Sequence, residues 1–97
     1  MQEQLPALAE FAAAAKAAPD DPRHTYIYAV ALHDAGRRAE AVRLLESAAQ
    51  RAGDRDVLLA LAAFKREAGD PATAARYLAR LAEINPDDPA TARDGGR

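Results

Sequence analysis

Ninety-seven residues carry a formal net charge of −2 and no cysteine. The length is that of one small domain; disulfides, thiolate metal sites, CxxCH haem attachment and a cysteine nucleophile are excluded, and the net charge argues against a nucleic-acid surface, which usually needs a basic stripe. Apolar residues reach 49 %, but alanine fills 27 positions and only five residues are aromatic, so any core must rest on many small contacts.

The first residues, Met1-Gln-Glu-Gln, lack the basic start and apolar centre of a signal peptide. The run Ala12 to Ala15 is closed by Lys16, and no stretch approaches the roughly 18 apolar residues of a membrane span. The expected location is cytoplasmic, or periplasmic if the chain belongs to a larger exported protein, with no membrane or nucleic-acid partner.

Residues 3–18 read as one helix, with Leu5, Leu8, Phe11 and Ala15 on one side and Pro6 confined to the first turn. Pro19 ends it. Asp21 and Pro22 then make a cap-plus-proline start for a second helix over 22–35, whose stripe is Thr25, Tyr28, Ala29 and Leu32. Gly36 supplies a left-handed stop. A third helix, about 38–52, carries Ala41, Leu45 and Ala48 and ends at Gly53. Asp54 caps a fourth, about 55–68, with Val57, Leu58, Leu61, Ala62 and Phe64 as its apolar set, and Gly69 stops it. Asp70-Pro71 starts a fifth that runs to Ile84 through Ala74, Tyr77, Leu78 and Leu81, before Asn85-Pro86 breaks it. Asp88-Pro89 resembles one more first turn, but 90–97 reads as a frayed or disordered tail, leaving 1–89 as the domain. No stretch alternates like a strand. The fold class is all-α.

The elements repeat. Gly36 recurs as Gly69, a shift of 33, and Pro19-Asp-Asp-Pro recurs as Pro86-Asp-Asp-Pro, a shift of 67. A period near 34 signals a stacked array, in which each helix pair buries its apolar face on the next. On Ala29, Leu32, Gly36, Ala41, Leu45 and Ala48 in one copy, and Leu61, Ala62, Gly69, Ala74, Leu78 and Pro86 in the next, the chain resembles the tetratricopeptide repeat family. The resemblance covers residues 3–89 as half a repeat followed by two whole ones. It implies a short right-handed solenoid of about five helices. Thr25 and Leu58 replace the family's early tryptophan, and Lys65 stands one repeat after Leu32. Phe64 is expected to fill that gap while the Lys65 stem reaches to solvent.

The resemblance implies non-enzymatic binding of a peptide or helix in a concave groove formed by the first helix of each pair. Projected onto this chain, the groove presents Arg23, Tyr26, Ile27, Val30, His33 and Asp34, then Asp56, Leu59, Ala60, Ala63, Arg66 and Glu67. Of these, Arg23, Tyr26, Val30, His33, Leu59, Ala63 and Arg66 are the candidate contacts. Tyr26 and Val30 stand where carboxylate-clamp members need lysine and asparagine, so a terminal carboxylate is not the expected ligand. The alternative is that Tyr26 and Val30 only pack on the neighbouring helix. A second candidate surface is the pair of open ends, through Leu8 and Phe11 and through Tyr77, Leu81 and Ile84, by which the chain would self-associate or join further repeats, the alternative being that the tail folds back as a sixth helix.

Chemistry finds little footing. His24 and His33 do not share a helix face, and too few ligands accompany them for zinc. His33 and Asp34 are adjacent on a helix and point apart. Ser47 has no nucleophile motif and Gly95-Gly96 is no phosphate loop, so catalytic residues, metals and cofactors are all read as none. Arg43, Arg51, Arg76 and Arg80 make either a basic patch or, with Glu40, Glu46 and Glu83, a solvated face. An alternative role comes from the runs beginning at Tyr26 and Arg55, which are similar to repeat tails of some bacterial multihaem c-type cytochromes. That similarity implies an accessory repeat domain of a larger enzyme or electron-transfer protein.

Overall fold

In the computed structural model, backbone is described for residues 4–91 and side chains from Leu8 to Thr91. Five helices follow in order: α1 (Gln4–Ala17), α2 (Pro22–Asp34), α3 (Arg38–Arg51), α4 (Arg55–Glu67) and α5 (Pro71–Ile84), with a short 3-10 turn over Pro89–Thr91. There is no strand among the described residues. The fold is all-α, as the sequence requires. Of the expected tail, residues 92–97 lie outside the described residues, as does the Leu5 side chain of the first helix.

Three of the helix starts follow directly from the local sequence. The Asp21 carboxylate accepts the Arg23 N–H (3.0 Å), Asp54 accepts that of Val57 (3.1 Å) and Asp70 that of Thr73 (3.2 Å). Each satisfies an amide that the first helical turn leaves unpaired. Pro22 and Pro71 occupy first-turn positions where no N–H is needed. The start of α3 differs: Arg37 stands at the cap without a capping side-chain bond, and its guanidinium instead holds Glu40 at 2.9 and 3.1 Å.

The stops at Gly36 and Gly69 use the left-handed conformation, with φ of +88° and +85°. Around Gly36 the N–H of Arg37 reaches back to Leu32 O (2.9 Å) and that of Gly36 to His33 O (3.0 Å), the paired bonds of a Schellman motif. Asp70 and Gly69 repeat them on Lys65 and Arg66 (2.8 and 3.1 Å). A Cβ added to Gly36 would meet nothing within 4 Å, so only the backbone resists substitution. Gly36→Ala should therefore cost about 1–2 kcal/mol in urea unfolding, and Gly36→Asn clearly less. Gly53 has a different reason to be glycine. Its φ is not left-handed, but a Cβ there would come within 2.5 Å of Ile84 Cδ1, so a larger residue would have to displace the tip of that half-exposed side chain.

The helices stack as hairpins, α2 with α3 and α4 with α5, while α1 lies on α2 and α4 packs on both α2 and α3. The result is an elongated body of 46 × 27 × 18 Å, a short helical-repeat solenoid. Leu32, Leu45, Val57, Leu58, Leu61 and Leu81 are its largest fully buried side chains, and Ala29, Ala41 and Ala74 are sealed between them. Small residues at the closest approaches let the backbones draw together, which is why an alanine-rich chain can still close a core.

The repeated Pro-Asp-Asp-Pro ends in an interaction that the sequence does not announce. Asp88 is 3 % exposed and is gripped by Arg55, with Nε 2.5 Å from Oδ2 and Nη2 3.3 Å from Oδ1. It also accepts the Ala90 N–H at 2.9 Å, as Asp21 accepts that of Arg23, and so opens the 3-10 turn as a cap. The Arg55 hydrogen bond, then that of the Ala90 amide, holds the Asp88 carboxyl below its ordinary range against the opposing effect of burial. Asp70 is held low by Thr73. A carboxyl depressed in the fold adds stability above its unfolded pKa of about 3.9, and this is lost as pH falls through the folded value. The melting temperature should thus fall as pH drops below about 4. In Asp88→Asn that dependence should flatten, with the contribution of Asp70 remaining.

Candidate interaction groove

α2 and α4 are the first helices of successive hairpins and lie side by side. Between them runs a trough of about 370 Å³, walled by Tyr26, Val30, His33 and Asp34 from α2 and by Asp56, Leu59, Ala60, Ala63 and Phe64 from α4. Tyr26, Val30, His33, Leu59 and Ala63 are thereby brought together. Tyr26 has two roles: part of it packs on the core cluster while it also faces the trough. Arg23 and Arg66 are not among the lining residues. Arg23 is exposed in the first turn of α2, and Arg66 lies beside Ala75, Leu78, Ala79 and Ala82 of α5. Ile27 is 37 % exposed and also falls outside the trough.

One end of the trough is closed by a cross-link between the two helices. The His33 ring lies flat on Phe64, centroids 4.0 Å apart and planes within 7°. Its Nε2 is 2.7 Å from Glu67 Oε1, and Nδ1 is 3.8 Å from Asp34. Thirty-four residues separate His33 from Glu67, one more than the 33-residue shift between the copies, so Glu67 stands next to the residue that corresponds to His33, and equivalent turns of stacked repeats become neighbours. That spacing was the available signal for the pair. Phe64 packs against the core cluster, as expected, and also stacks on His33, whereas Lys65 does not run free to solvent: its ammonium lies 3.2 Å from Glu46 of α3 and its side chain is only 21 % exposed.

The open ends also differ from the projection. Leu8 and Leu81 are core residues, at 8 % and 1 % exposure, because α1 packs on α2 and α5 on α4 through those faces. Phe11 and Tyr77 are half-buried, Tyr77 against the core cluster, and of the five end candidates Ile84 is the exposed one, at 53 %. Among the described residues the outer face of α5 forms a furrow lined by Ala75, Leu78, Ala79 and Ala82, bordered by Arg66 and by Ala90 and Thr91 of the 3-10 turn. The four α5 residues stand 33 residues after Val42, Leu45, Glu46 and Ala49, on the helix against which α4 packs. The furrow is where a following helix would sit.

Two of the four outer arginines are engaged inside the molecule. Arg51 donates to Pro19 O (3.0 Å) and Ser47 Oγ (3.2 Å), and Arg80 donates to Ala49 O (2.7 Å) at the end of α3. They secure helix ends and form no patch. Among the described residues no cluster of metal-ligating side chains occurs, and no helix is long and apolar enough to cross a membrane.

Comparison with curated proteins and with solved structures finds no match. A family model described as tetratricopeptide repeat matches residues 32–93, from the last turn of α2 through both glycine stops and the second hairpin. With 62 of 97 residues matched, and with hairpins, stops and alanine seams placed as that repeat requires, the chain belongs to the tetratricopeptide repeat family.

Proposed function

We propose that this chain is a non-catalytic interaction module that receives an amphipathic helix or extended protein segment in the trough between α2 and α4. Repeats of this family serve in general for protein–protein interaction. The observation that carries the finer reading is the trough itself: an apolar floor of Val30, Leu59, Ala60 and Ala63, held in fixed geometry by the His33–Glu67 bond and the His33–Phe64 stack. A preformed apolar strip between two rigid helices suits a partner with regularly spaced apolar anchors. Asp34 and Asp56 stand on its rim, 3.8 Å from His33 and 3.6 Å from Arg55, so the rim is polar with its charges paired.

Affinity capture with the wild type and with Val30→Asp plus Ala63→Asp tests this. Both positions face the trough and neither is fully buried, so circular dichroism should be unchanged while partners recovered by the wild type are lost. Equal recovery by the two proteins would remove the trough from consideration. Self-association is the second reading, favoured by the apolar α5 furrow, open among the described residues, and by the exposed Ile84. Light scattering after size exclusion should then show mass rising with concentration, and Ile84→Asp should suppress the rise.

A further inference from the structure

Beyond the trough, on the other side of the His33–Phe64 stack, lies a second cavity of about 460 Å³ between the first half of α3 and the last turns of α4. We propose that this cavity is a separate recognition site, which takes an apolar side chain flanked by carboxylates from an acidic segment of another protein. Its apolar wall is Ala39 and Val42 from α3 facing Phe64 and Ala68 from α4. The space is wide enough for a leucine- or phenylalanine-sized anchor, and its wall is fixed because Phe64 is clamped by His33.

The charges around it select the flanking chemistry. Glu46 is paired with Lys65 at 3.2 Å and Glu67 with His33 at 2.7 Å, so the acids on the rim have partners within the fold. Arg38 and Arg43, the other charged residues on the rim, have no carboxylate partner among the described residues. Arg38 also sits in the first turn of α3, where the helix dipole disfavours a cation and where no side chain caps the amides. An incoming carboxylate relieves that repulsion and pairs with guanidinium groups suited to it. A basic segment gains none of this.

The site is distinct from the trough, and its test keeps the two apart. Isotope-labelled protein is titrated with a pool of blocked peptides, Asp-Glu-X-Asp-Glu with X leucine, isoleucine, methionine or phenylalanine, and with matching pools carrying lysine for the acids or glycine for X. The acidic apolar pool should shift the amides of Ala39, Val42, Phe64 and Ala68, and the control pools should leave them in place. Arg38→Glu with Arg43→Glu, both exposed positions, should weaken the acidic pool by roughly fivefold or more. Added salt near 0.5 M should weaken it as well. Val30→Asp plus Ala63→Asp should bind the pool like the wild type, so a failed trough does not count as a failed cavity. The proposal is overturned by any of four results: no shift at about 1 mM pool, shifts confined to Tyr26 and Leu59, indifference to the double charge reversal, or the same shifts produced by unlabelled protein alone.

Discussion

Leu61→Ala should lower the unfolding free energy by about 2–5 kcal/mol. Leu61 is fully buried on α4, the helix that touches α2, α3 and α5 and so joins one hairpin to the next. Its loss leaves a cavity in the core cluster, whose alanines are too short to reach in and fill it. In a stack whose stability is a sum of repeat and interface contributions, damage at this interface weakens both hairpins together. A domain of this size has about 5–15 kcal/mol in total, and each kcal/mol moves Tm by roughly 4–8 °C, so a drop of about 10 °C or more is expected. Leu8→Ala, on the outer helix α1, whose main contact is α2, should cost less and loosen α1 locally. Urea unfolding followed by circular dichroism reads both. Equal losses for the two variants would contradict the central placement of α4.

Ala41→Leu should be the most damaging enlargement, costing about 1–3 kcal/mol through overpacking. Ala41 on α3 and Ala29 on α2 are both at 0 % exposure within the first hairpin, and a longer side chain at either forces the helices apart. Ala48 appears equivalent in the sequence pattern, yet its surroundings differ. It retains 5 % exposure and borders a cavity of about 210 Å³ with Pro19, Pro22 and Arg51. Ala48→Leu should therefore be tolerated better than Ala41→Leu, with the order read from thermal melts. The reverse order would show that the α3 seam lies nearer its C-terminal end.

The fold was legible because its signals are local and recur. Aspartate caps before Pro22 and Pro71, glycine at 36 and 69, and leucine–alanine stripes at helical spacing each act within one or two turns, so the helices begin and end within two residues of the expected places. The trough was legible in part. Tyr26, Val30, His33, Leu59 and Ala63 follow from the repeat register, which puts corresponding faces of α2 and α4 side by side. Arg66 lies outside the trough lining and beside α5, a placement that the register alone does not specify. Leu8 and Leu81 were misassigned to the ends because an apolar residue on a terminal helix reads the same whether it faces inward or outward.

By itself, then, the sequence determined the helix count, the caps, the turns and the stacking class, because those depend on contacts between residues a few positions apart. Only the tertiary structure decided which charges pair. His33 with Glu67, Lys65 with Glu46, Arg55 with the buried Asp88 and Arg80 with the carbonyl of Ala49 all join residues 19 to 34 positions apart. The arginine and lysine side chains can reach in several directions, and which partner each meets depends on how far one hairpin is turned on the next. That rotation is set by the packing of Leu58, Leu61 and the alanines beneath, and no single stretch of the chain records it.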